Sequence, residues 1–251
     1  MRLRNLLLTA AALVPAVRSF AVEYGLTYIS VPGRIDFVQT DLARGTVQPM
    51  SDNASFGTFG FLAVVPIPGS VGPFTPGVET GFLIPAGSQA FDHRELAKNG
   101  ATHDSRHDGD FTTWDVTGVP LLLAIRFSQP SENVSFGGEV GAGVMFLGVS
   151  VDRTLTTYDS SDSTVVLRET LRHQDVAISP VVQALAGLVV PASEGMDLRL
   201  YGGLVWIADV PETVTSDATA PALVHGGASD LPGLTVGGLG FVLRLALNVT
   251  L

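Results

Sequence analysis

The last twelve residues, Gly240 to Leu251, place Phe241, Leu243, Leu245, Leu247, Val249 and Leu251 on one parity and Arg244, Asn248 and Thr250 on the other. Successive side chains of a strand point to opposite faces, so such a segment has one oily face and one polar face. A single strand of this kind would also fit a soluble sandwich. The stronger constraint is that several other segments repeat the pattern, all of them behind an export signal.

The signal is at the N-terminus. Arg2 and Arg4 give a basic start, Leu6 to Val17 form an apolar run too short for a comfortable span, and Ser19-Phe20-Ala21 offers the small residues that a signal peptidase reads. Residues 1–21 are therefore expected to be a Sec-type signal peptide cut after Ala21, with Ser19 as the alternative. Residues 22–251 are expected to form one domain outside the cytoplasm, and because the final strand runs to Leu251 no further periplasmic domain is expected.

Composition narrows the class. The chain has no Cys, so an exported fold of this size must be held by a core or a closed sheet and not by disulfides. Losing Arg2, Arg4 and Arg18 with the signal would shift the formal charge from −10 to −13, which argues against nucleic-acid binding. Only 15% of residues are charged, and mean hydropathy is +0.36. Yet no run of about 18 apolar residues follows the signal, which excludes a spanning helix. In lipid only helices and closed barrels satisfy their own backbone, so the apolarity points to spanning strands.

Eight strands are predicted, at Val22 to Ser30, Phe56 to Ile67, Gly77 to Pro85, Phe111 to Phe127, Val134 to Val151, Asp175 to Val190, Met196 to Ala208 and Leu234 to Leu251. Their connections alternate. Short ones, rich in turn residues, fall at 68–76, 128–133 and 191–195; long polar ones fall at 33–55, 87–110, 152–174 and 211–232. That rhythm predicts an all-β, eight-stranded antiparallel up-and-down transmembrane barrel, with short periplasmic turns and long extracellular loops. Pro120 and Pro180 interrupt two of the strands, and each is expected to mark a bulge near the rim or the point where a strand leaves the membrane.

Alternation also assigns the faces. Val119, Leu121, Leu123, Ile125 and Phe127 face out on the fourth strand, and Leu198, Leu200, Leu204 and Trp206 do so on the seventh. On the opposite parity stand Glu23, Glu79, Arg126, Glu139, Arg199 and Arg244, with Gln183 and Tyr201. Arg on the lipid face near the midplane would cost about 2–4 kcal/mol, which explains why the charges keep to one side. Three Glu and three Arg at similar heights predict a neutral interior network close to mid-barrel. A lumen only wide enough for side chains would be plugged by it. Gly25, Gly81, Gly141 and Gly203 are expected to make room for the long Arg side chains.

The segment Phe136-Gly137-Gly138-Glu139-Val140-Gly141-Ala142-Gly143-Val144, after the turn Pro130-Ser131-Glu132-Asn133, resembles a strand of the small outer-membrane β-barrel family that includes OmpA-like, OmpX-like, OmpW-like and opacity-type proteins. The run from Gln183 to Leu188, followed by Ser193 to Gly203, is similar to that family's penultimate hairpin. The resemblance implies residence in a bacterial outer membrane among lipid and lipopolysaccharide, as a monomer, with insertion by the barrel-assembly machinery through the C-terminal strand. The family commonly ends in an aromatic residue, whereas this sequence ends in Leu251.

Some barrels of this size modify lipid, which takes a nucleophile and a base, typically Ser and His, at the lipid-facing rim. None of His93, His103, His107, His173 and His225 stands on an outer face beside a matching Ser, so no catalytic residue is expected. Asp92-His93-Arg94-Glu95 and His103 to Asp110 are metal-capable but read as hydrated loop, with no cofactor expected. The expected function is non-enzymatic, structural or surface-interacting. The alternatives are a narrow pore for small or apolar solutes and a lipid-modifying enzyme.

Overall fold

The computed structural model describes residues 21–41, 46–69, 72–96, 107–128, 133–158, 165–212 and 233–250. They form nine strands: β1 (Ala21–Asp41), β2 (Thr46–Pro66), β3 (Phe74–Pro85), β4 (Gln89–Leu96), β5 (His107–Ser128), β6 (Ser135–Tyr158), β7 (Val165–Ser193), β8 (Met196–Glu212) and β9 (Gly233–Thr250). Each pairs antiparallel with its neighbour in sequence, except that β3 and β4 both pair with β5, and β9 pairs with β1 to close the ring. β3 takes the lower part of β5, from Gly118 to Phe127, and β4 the upper part, from His107 to Trp114. The two are halves of one stave broken at Ala86-Gly87-Ser88, so the barrel has eight staves.

The slope of the staves follows from the pairings. Starting at Asn248 and crossing Glu23, Val64, Glu79, Leu122, Gly143, Val181 and Ile207 returns to β9 at Gly238, ten residues along, which is a shear of ten. Eight staves with that shear tilt by about 41° at a backbone radius of about 8 Å, so each residue climbs about 2.5 Å along the axis. The interior is then a column of side chains.

On the outside, large apolar residues form a continuous exposed band. On β3 it runs from Phe74 to Ile84, a height of about 25 Å, which matches the apolar band of a membrane barrel. Leu123, Phe136 and Leu239 are 67%, 73% and 65% exposed. Water does not tolerate an apolar surface that extends around the whole molecule, so this band faces lipid. The chain is an integral membrane β-barrel, and the outward residues expected from the alternation are the ones that form the band.

Several strands run much further than the sequence suggests. Most of 33–55 and 152–174, expected as loop, continues the β1–β2 and β6–β7 hairpins, and the 87–110 segment contributes β4 and the start of β5. Polar residues on both faces hide a strand that has left the lipid, because nothing there requires apolar alternation. The short connection at 191–195 is a two-residue turn in which Gly195 takes φ +75, the conformation that a tight hairpin needs.

Of the two places expected for the prolines, a bulge is not found, whereas Pro120 stands beside Val119, the uppermost exposed large apolar residue of β5. Pro120 produces no bulge: the β3–β5 ladder omits Gly81–Pro120 and Phe82–Val119, then resumes in the same register at Leu83–Gly118. Pro180 stays in register with Val144 of β6, but the β7–β8 ladder ends one residue short of it, at Val181–Ile207. A proline has no N–H to offer a second neighbour. Register shifts do occur elsewhere, between Ile29 and Gly33 and between Ile207 and Val210, opposite Gly237 and Gly238 at positive φ.

Candidate functional site

The chemically distinctive part of the molecule is its lumen. Period two turns Glu23, Glu79, Arg126, Glu139, Gln183, Arg199 and Arg244 inward from seven of the eight staves, and all are buried. β2 contributes the apolar Leu62 and Val64 at this level.

Two clusters result. Glu23 Oε2 accepts from Arg126 Nη1 at 3.2 Å and from Arg199 Nη1 at 2.9 Å, and Arg199 Nη2 lies 3.7 Å from Asp197. Arg244 donates through Nη2 to Glu79 Oε1 at 2.9 Å and through Nη1 to Glu139 Oε1 at 3.0 Å. Gln183 Nε2 spans the same two carboxylates, at 2.7 Å from Glu79 Oε2 and 2.9 Å from Glu139 Oε1. Arg126 and Glu139 are direct neighbours in the β5–β6 ladder, yet Arg126 reaches across the lumen to Glu23, while Glu139 Oε1 is engaged by Arg244 and Gln183.

Three anions against three cations leave the layer formally neutral. In a low-dielectric interior each of these charges is costly unless paired, so the geometry is strongly constrained. Room for an Arg side chain is supplied at one of the expected glycines, Gly25, where a Cβ would sit 3.3 Å from Arg244 Cγ; at Gly141 a Cβ would instead sit 3.2 Å from Gln183 Cγ. Gly81 and Gly203 serve a different purpose. A Cβ there would strike the carbonyl oxygens of Phe61 and Ala184, so these glycines allow neighbouring backbones to approach.

Part of the layer lies lower than expected, while Glu79 stays at mid-band, five residues from both Phe74 and Ile84. Glu23 is two residues above Ala21, Arg126 two above Ser128 and Arg199 three above Met196, all in the half nearer the short turns. Shear spreads these heights, since hydrogen-bonded partners on neighbouring staves step in height by more than a residue per stave.

Above the charges the lumen is oily, which the sequence reading missed. Ile29, Val31, Phe56, Leu83, Trp114, Val116, Leu122, Met145, Leu147, Val149, Val205, Ile207, Leu234, Val236 and Val242 belong to one buried cluster. Its upper members, such as Trp114, Val151 and Leu234, stand beyond the lipid band. The available signal was the loss of alternation: Val119 to Ala124 and Val144 to Val149 are apolar on both parities, as in strands with lipid outside and a core inside.

Among the described residues no group of three His, Cys, Asp or Glu side chains is placed to hold a metal. His93 lies on β4, His107 on β5 and His173 on β7, whereas His103 and His225 fall outside the described residues, as does most of the expected signal peptide.

No family model matches the sequence, and no curated protein matches it. Among solved structures the chain is similar to the outer membrane protease OmpT from Escherichia coli, at 11% identity over 93% of this chain and 97% of that one, with a TM-score of 0.43. OprG from Pseudomonas aeruginosa gives 10% identity over 93% and 95%, TM-score 0.42, and Neisserial surface protein A gives 9% over 92% and 96%, TM-score 0.38.

Proposed function

We propose that this chain is a non-enzymatic protein of a bacterial outer membrane, a sealed barrel whose work is structural and at the cell surface. The carrying observation is the filled lumen: a charge-paired layer drawn from seven staves below and a packed apolar column above. Ions crossing it would have to separate contacts of 2.7 to 3.2 Å and then enter an oily core. Neither a pore nor an active site is needed to account for that arrangement.

In this reading residues 1–21 direct Sec-type export, the short turns face the periplasm and the extended hairpins stand outside the cell. Lipid and lipopolysaccharide surround a monomer, and the assembly machinery engages β9. The hairpins are where a partner outside the cell would bind.

Planar-bilayer recording tests the proposal. The wild-type barrel is expected to be silent or to flicker rarely, and Glu139→Lys, which sets a cation against Arg244, is expected to open the layer and raise conductance. Steady, large wild-type currents unaffected by that change would refute the sealed lumen in favour of a narrow pore.

A further inference from the structure

The outward face of the wall carries a polar depression where the ladders are least regular. β9 shifts register against β1 between Ile29 and Gly33 and against β8 between Ile207 and Val210, beside Gly237 and Gly238 at φ +146 and +115. A Cβ on Gly237 would fall 2.8 Å from Asp209 Oδ1, so the bare backbone is what lets Asp209 lie against β9. The result is a cavity of about 320 Å3, lined by these two glycines together with Arg34, Asn53, Asp209 and Thr235.

The cavity opens outward. Arg34 has the parity of the exposed Tyr24 and Leu26 on β1, and Asn53 and Thr235 are its partners in the two adjoining ladders. Its side chain is 56% exposed. Leu239 and Trp206 are paired at the upper edge of the lipid-facing band, and Thr235 and Asp209 stand four and three residues above them. At about 2.5 Å per residue the cavity lies within about 10 Å of the hydrocarbon, at the level of lipid headgroups.

Its groups divide by charge. Arg34 donates through Nε to Asp36 Oδ2 at 3.2 Å, which fixes the guanidinium, and neither Nη atom has a partner among the described residues. Two free Nη groups form the fork that takes two oxygens of a phosphate. Asp209 stands on the far side of β9, two strand spacings or about 10 Å across the sheet. A carboxylate repels a second phosphate but accepts from hydroxyls, and Asn53 and Thr235 add an amide and a hydroxyl.

We infer that the cavity binds the phosphorylated sugar headgroup of an outer-leaflet lipid, with the phosphate on Arg34 and the sugar hydroxyls on Asp209, Asn53 and Thr235. The volume is at the lower end for small-molecule pockets, which suits one phosphorylated sugar and not an extended glycan. A lipid held this way keeps its chains against Leu239 and Trp206 below. The inference rests on the outer-membrane reading only for the leaflet that supplies the lipid; binding is measured on barrels in micelles, where orientation has no part.

Amide resonances of Gly33, Gly237 and Gly238 in the whole barrel, refolded in amine-oxide micelles, report occupancy. Glucosamine 1-phosphate is expected to shift them saturably and to bind about tenfold or more tighter than glucosamine or inorganic phosphate. Lipid A added to the micelles presents the same chemistry on acyl chains, and should saturate the shifts at a concentration lower again by about tenfold or more. Arg34→Gln should weaken glucosamine 1-phosphate by about tenfold or more, and Asp209→Ala should weaken it without weakening inorganic phosphate, with heat-modifiable gel mobility confirming the fold of each variant. Shifts absent with every probe, or unchanged by Arg34→Gln, would overturn the inference. Inorganic phosphate binding as tightly as the sugar phosphate would overturn the sugar, and lipid A binding no tighter than the free sugar phosphate would overturn the lipid as its source.

Discussion

Glu23 is the position at which the interior layer is most vulnerable. Its Oε2 alone holds Arg126, at 3.2 Å, and Arg199, at 2.9 Å, and its side chain is 1% exposed. Arg199 has Asp197 in reserve at 3.7 Å, but no other carboxylate is within bridging distance of Arg126 among the described residues. Glu23→Ala should therefore leave one buried cation uncompensated and cost about 3–5 kcal/mol. Glu139→Ala is expected to be milder. Arg244 and Gln183 both keep their bonds to Glu79, so the loss is that of hydrogen bonds to a charged group, about 1.5–3 kcal/mol. Thr80→Ala, on the lipid face, should change little. Urea titration of the three variants in lipid vesicles, followed by tryptophan emission, should give midpoints in the order Thr80→Ala, Glu139→Ala, Glu23→Ala from highest to lowest. Adding Arg126→Ala to Glu23→Ala removes the stranded cation and should recover part of the loss. If Glu139→Ala proves worse than Glu23→Ala, or the double variant is worse than Glu23→Ala alone, the pairing scheme is wrong.

Other expectations can be checked independently. Gly187→Val places a Cβ on the Leu200 carbonyl and should abolish the folded, heat-modifiable species on gels, while Gly87→Val, with open space around it, should not. Trypsin added to intact cells should cut at one or more of Arg44, Lys98 and Arg168, in or beside the upper hairpins, and should spare Arg126 and Arg199 within the barrel. N-terminal sequencing of the mature protein should begin at Val22.

Some of this architecture can be read from the residues and some cannot. The lipid-facing parity on β5, β8 and β9 is legible because lipid penalises charge there, so every other position is constrained. The six buried charges are legible for the complementary reason. Their partners are not, because register and shear decide which staves meet across the lumen, and neither leaves a mark on one strand alone. The split between β3 and β4 at Ala86-Gly87-Ser88 reads as the start of a loop, since the pairing of β4 with β5 lies beyond a break in the alternation. The upper oily column escaped notice because attention to polar inward residues passes over Ile29, Phe56 and Leu147. The excess of apolar residues beyond what the outer band requires would have revealed it.

The length of the β6–β7 hairpin has a consequence for how the protein meets its surroundings. From Phe146, near the top of the lipid-facing band, to Tyr158 there are twelve residues of continuous strand, a rise of about 30 Å at this tilt. β5 pairs with β6 over that whole length, and β4 pairs with the upper part of β5. A ladder of this kind behaves as a mast. The strand ends Tyr158 and Val165 are held at a fixed stand-off from the lipid, so an epitope grafted between them would be displayed at a distance that the ladder sets.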